Sequence, residues 1–156
     1  LKEGSQAQII ENWADTTLAK SIKIVFFEEL TKNPILISSL FEKEISDSIK
    51  KFFLNMPLNI GSQISGLINQ KEKESLKSNL EYLTNLIEKE NFLIGKELSI
   101  ADIAVASHLS LLNFPKSSGE NLSGKGCSIY INNPSLKDLF QWRDSIENEL
   151  IKTNYN

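Results

Sequence analysis

Between Trp13 and Phe27 the chain carries residues whose types and spacing could hold a small organic molecule: Trp13, Thr17, Lys20, Ser21, Ile24 and Phe27. At helical spacing these share one side of a helix, which then shows aromatic, hydroxyl, cationic and aliphatic groups together. A cation or hydroxyl beside an aromatic wall can orient an anionic or electrophilic molecule whose apolar body is buried, the usual make-up of a ligand cleft. The candidate substrate-binding residues are therefore Trp13, Thr17, Lys20, Ser21 and Ile24. Trp13 and Phe27 would serve equally well against another domain, because aromatic side chains are enriched at interfaces.

Other features carry weaker chemistry. "GENLSGKG", Gly119 to Gly126, nearly matches the phosphate-binding G-x-x-x-x-G-K-[ST] loop, but Gly126 stands where a hydroxyl must hold Mg²⁺ and no strand precedes it. A flexible loop is the better reading. Cys127 has no Cys or His near it in sequence and reads as a bystander thiol. His108 is the single histidine. It cannot build a metal site alone, and a hydrogen-bonded imidazole in the core or at a pocket edge is a better reading than a catalytic base. No metal site and no catalytic residue are expected in this chain.

The elements that must position these groups are helical. Ile10, Ala14, Leu18, Ile22, Phe26 and Leu30 recur every four residues and predict one helix of roughly 25 residues ending near Asn33. Asn33-Pro34 is a cap followed by proline at the first helical position, which opens a shorter helix through Phe41. A polar break at 42–47 and an irregular pair of short helices over 47–70 follow, because Pro57, Gly61 and Gly66 interrupt any single rod. Leu76, Leu80, Leu83 and Ile87 predict an amphipathic helix over 71–90. Ser99 and Asp102 have the spacing of a capping box, with Leu98 and Ile103 as its hydrophobic staple. The helix they open, through about Asn113, is apolar on nearly every side, as expected of a central rod surrounded by neighbours. Asn133-Pro134 repeats the cap-plus-proline signal before a last amphipathic helix carrying Leu136, Leu139, Phe140, Ile146 and Leu150. The expected fold is all-α, a helical bundle with a buried central helix and no strand.

Length and charge bound the function. The 156 residues, 40% hydrophobic, suffice for one domain with a real core and are too few for two ordinary ones. A formal net charge of −3 offers no basic field for nucleic acid or an anionic membrane. No apolar run approaches a membrane span, no leader pattern is present and one cysteine cannot close an internal disulfide, so a cytoplasmic, reducing compartment fits best. The chain begins with Leu1, and "LKEGSQAQ" reads as the approach to a helix already in progress, as in a fragment of a longer protein.

"FLIGKELSIADIAVASHL" resembles the part of glutathione S-transferase C-terminal domains where an F-L-x-G loop precedes the capping box of a buried central helix. "IIENWADTTLAKSIKIVFFEEL" resembles the long first helix of those domains, and "NPSLKDLFQWRDSI" their closing helix. The resemblance spans most of the chain and is weakest over 42–70. It implies a structural duty for Leu98, Ser99, Asp102 and Ile103. It also implies a preceding thioredoxin-like domain, absent from this sequence, that binds glutathione as co-substrate and supplies the thiol-activating residue. The first helix would border the glutathione site and line the pocket of a small hydrophobic electrophile. A homodimer is compatible with the resemblance, and so is a non-catalytic docking module for protein–protein interaction.

Overall fold

A four-residue recurrence is longer than one turn of α-helix, so each step along Ile10 to Leu30 rotates the apolar stripe by about 40°. The protein compensates by widening the helix once. In the computed structural model, which describes residues 4–41 and 66–154, α1 (Ser5–Trp13) runs through a π-turn (Ala14–Leu18) into α2 (Ala19–Lys32) with helical backbone angles at both junctions. The Ala19 N–H donates to the Ala14 carbonyl, five residues back, so the turn absorbs one extra residue and partly resets the stripe. Ala14, Leu18, Ile22 and Phe26 are completely buried, and Ile10 and Leu30 pack half-buried against the same core.

Asn33 ends this rod where expected. Its Oδ1 accepts the Leu36 N–H at 3.0 Å, and Pro34 opens α3 (Pro34–Phe41). The expected polar break at 42–47 and the irregular helix pair, as far as residue 65, lie outside the described residues. The amphipathic helix is α4 (Gly66–Ile87), which is already helical before residue 71. Leu76, Leu80 and Leu83 are buried, and Ile87 is half-buried against the core.

The capping box forms at the start of α5 (Ile100–Leu109). The Ser99 N–H donates to Asp102 Oδ2 at 2.9 Å and the Ser99 hydroxyl donates to the same oxygen at 2.6 Å. Leu98 and Ile103 are both half-buried. One expectation for this helix needs correction. It stops at Leu109, short of Asn113, because tight turns at Leu111 and Leu112 lead the chain into an isolated antiparallel bridge between Asn113 and Gly126. It is otherwise the central helix expected: Ala101, Asp102, Val105, Ala106 and Leu109 are buried, with α1, the π-turn, α2 and the C-terminal helix as neighbours, Ile100, Ile103, Ala104 and His108 are half-buried, and within the helix Ser107 alone is exposed.

The glycine-rich segment is not the flexible loop expected. Phe114 N–H donates to Lys125 O at 2.7 Å, Gly124 N–H to Phe114 O at 2.8 Å and Cys127 N–H to Leu112 O at 2.8 Å, while Leu122 and Phe114 are buried. Apolar anchors that the local sequence hides among turn residues fix it to the core. After α6 (Ser128–Ile131), Asn133 Oδ1 accepts the Ser135 N–H at 3.0 Å, and a 3₁₀ turn (Pro134–Leu136) leads into α7 (Lys137–Asn154). Leu136, Leu139, Phe140 and Ile146 point to the core and Leu150 is half-buried. Trp142 donates from Nε1 to Asn91 O at 2.9 Å. Arg143, only 2% exposed, donates to the Asn113 carbonyl and pairs with Asp144 at 2.7 Å. The described residues form an all-helical bundle with no strand.

Candidate functional site

The π-turn falls on the segment whose residue types suggested a ligand face. Trp13 immediately precedes it and rests half-buried on the core, and Thr17 lies inside it with its side chain in solvent. Thr16 donates its hydroxyl to Asn12 O at 2.6 Å, a back-bond to the preceding turn of the helix. Trp13, Thr17 and Lys20 form the open part of the stripe. Ser21 is completely buried, Ile24 is 8% exposed and Phe27 is half-buried, so the lower end of the stripe turns into the packing between α2 and α4.

Glu72 of α4 occupies the polar groups at that end. It accepts from Lys20 Nζ at 2.6 Å and from Ser21 Oγ at 2.7 Å. The Lys20 ammonium first, and the Ser21 hydroxyl second, hold the Glu72 carboxyl below its ordinary value of 4.5 against the opposing effect of burial. About two turns further along α2, Glu28 lies 2.6 Å from Lys73 of α4, the residue next to Glu72, and Lys32 and Lys73 likewise hold the Glu28 carboxyl below 4.5. The two helices are thus joined by ion pairs of opposite polarity. The sequence reading missed Glu72, which lies 51 residues from Ser21 in the chain.

His108 projects from the last turn of α5 toward the π-turn, and its Nε2 lies 2.8 Å from Asp15 Oδ1. The imidazole is thus hydrogen-bonded and half-buried beside the π-turn. Cys127 is buried, and burial pushes its thiol well above the ordinary value, with Glu29 and Glu28 adding to the shift, so it is unsuited to nucleophilic work. Among the described residues no group of three or more His, Cys, Asp and Glu side chains could hold a metal ion, and no helix is long and apolar enough to cross a membrane. A groove of about 920 Å³ runs between α4 and the 129–138 segment, lined by Lys73, Lys77, Leu80, Tyr130, Leu136 and Asp138. It lies away from Trp13 and Thr17, and its walls mix charges of both signs.

Residues 67–149 match the family described as glutathione S-transferase, C-terminal domain. The chain is also 27% identical over 79 residues to FtsZ-localized protein A of Caulobacter vibrioides (strain NA1000 / CB15N), an alignment covering 47% of this chain and 34% of that protein. The matched part is thus about a third of that relative's length. No solved structure matches the chain significantly.

Proposed function

Because this chain belongs to the glutathione S-transferase C-terminal domain family, we propose that it is the helical half of a two-domain transferase. In this reading Trp13 and Thr17 form the wall that holds a small hydrophobic electrophile. A thioredoxin-like domain binds glutathione and lowers its thiol pKa; the thiolate sulfur then bonds to the electrophilic carbon, and the leaving group departs with its bonding pair. The helical domain contributes proximity, holding the electrophile beside the sulfur. Lys20, Ser21 and Ile24 support the wall from below through Glu72 and the α2–α4 packing. A cytoplasmic location goes with this reading. The observation that supports it is the π-turn at Ala14–Leu18, since such turns are rare and concentrate at functional sites. The test is conjugation of glutathione to 1-chloro-2,4-dinitrobenzene by the full-length protein. Thr17→Ala and Trp13→Ala should raise KM several-fold, and absence of turnover in the unmodified protein would defeat the proposal.

A second reading, a docking module, is favoured by the capture of both Lys20 and Ser21 by Glu72, which leaves this face few free polar groups for a ligand. The relative from Caulobacter is named for localisation to FtsZ rather than for a reaction. Co-sedimentation of the full-length protein with FtsZ polymers, together with absent conjugation, would favour this reading.

A further inference from the structure

We infer that His108 is a positioning residue for the Trp13–Thr17 wall, acting through Asp15. The inference rests on the ligand-wall reading above and adds the group that sets the wall's geometry. A π-turn holds one more residue than the α-helix around it, so it persists where neighbouring contacts favour the wider form. The described contacts are of three kinds. Ala14 and Leu18 are completely buried in the core, Thr16 bonds back to Asn12 within the helix, and Asp15 is held from outside by His108. Of these only the last ties the exposed side of the turn to another helix, where the Asp15 side chain is 58% exposed and the His108 ring 19%.

Asp15 sits midway between Trp13 and Thr17, two residues from each. Its tether to α5 therefore controls how far the wide turn can rotate, and with it the angle between the indole and the Thr17 hydroxyl. The other end of the tether is firm. His108 belongs to the last turn of α5, whose Val105, Ala106 and Leu109 are buried.

The experiment uses the full-length protein and titrates 8-anilinonaphthalene-1-sulfonate, an aromatic anion, with S-hexylglutathione as a second probe. His108→Ala and Asp15→Ala should each weaken probe binding about three- to tenfold, and the double variant should be no worse than either single one, because both remove the same contact. His108→Gln, which keeps a side-chain N–H donor, should restore most of the affinity. A merely structural histidine would lower the thermal midpoint without this shared loss of affinity. Should His108→Ala fail to fold, the loss in Asp15→Ala against the retained affinity of His108→Gln carries the comparison. Thr17→Ala and Trp13→Ala are run in parallel. If they weaken binding while the His108 and Asp15 variants do not, or if the two losses multiply, the positioning role is overturned and the wall stands. If Thr17→Ala and Trp13→Ala leave affinity unchanged, the wall itself falls and the positioning role with it.

Discussion

Asp102 Oδ1 accepts the backbone N–H of Leu93 at 2.7 Å, while Oδ2 of the same carboxylate takes both the N–H and the hydroxyl of Ser99. One completely buried side chain thereby ties the loop after α4 to the first turn of α5. A capping box needs only the Ser99 contacts; the Leu93 contact makes this carboxylate a loop anchor as well. Asp102→Ala should cost about 2–4 kcal/mol, more than the ~1 kcal/mol typical of a lost cap, because three bonds to a charged group disappear and their donors stay behind. A urea midpoint lowered by no more than a simple cap mutation lowers it would show that the Leu93 bond contributes nothing.

Gly126 and Gly119 both hold positive φ, +147° and +90°, yet their surroundings differ. A Cβ on Gly126 would meet the Leu112 carbonyl oxygen at 2.4 Å, whereas a Cβ on Gly119 meets nothing within 4 Å. Gly126→Ala must therefore open the bridge to Asn113, and it should cost several kcal/mol by overpacking and lost backbone pairing. Gly119→Ala should cost only about 1 kcal/mol, from strain. Equal thermal midpoints for the two variants would contradict this.

Glu72 and Glu28 have folded-state pKa values below the 4.5 expected of the unfolded chain. Depressed carboxyl pKa values contribute stability that is complete above the unfolded value and is lost as pH falls through the folded one. Stability should therefore decline from about pH 4.5 downward. Lys20→Met removes the largest cause of the Glu72 shift, so the variant should be slightly less stable near neutrality and lose less on acidification. Parallel losses for both proteins, in denaturant midpoints taken from neutral pH down through the carboxylate range, would exclude the contribution.

Cys127 should react with a thiol reagent such as 5,5′-dithiobis(2-nitrobenzoate) far more slowly in the native protein than in denaturant. Burial removes access, and the raised pKa removes thiolate. Equal rates in the two conditions would mean that the segment from Asn113 to Cys127 opens freely.

Signals confined to a few residues were legible in the sequence. Asn33-Pro34, Asn133-Pro134 and Ser99 with Asp102 each encode a helix start within four residues, and each start was found where expected. The buried stripe from Ala14 to Phe26 was legible as a pattern, although its four-residue period did not disclose that a π-turn would be needed to keep it facing inward. Gly66 misled because a glycine lowers helix propensity without forbidding a helix, and residues 66–70 are helical. The groups that shape the candidate site were hidden for a different reason. Glu72 meets Lys20 and Ser21 across 52 and 51 residues, and Asp15 meets His108 across 93. No local periodicity records which charges will meet once helices pack. Ser21 shows the consequence, since as a small hydroxyl on a mixed face it suggested a ligand contact and instead closes a helix–helix seam.

The 93 residues between Asp15 and His108 also set a clock for synthesis. At a translation rate of ~5–20 residues per second, roughly 5–20 s pass between the addition of these two residues. During that interval the helix carrying Leu18, Ile22 and Phe26 lacks the cover that α5 will provide. A nascent chain arrested before Leu109 should therefore display a long apolar ridge to the ribosome's surroundings, and it should bind general chaperones more strongly than one arrested after Asn154. The helix that emerges early waits for the one that encloses it.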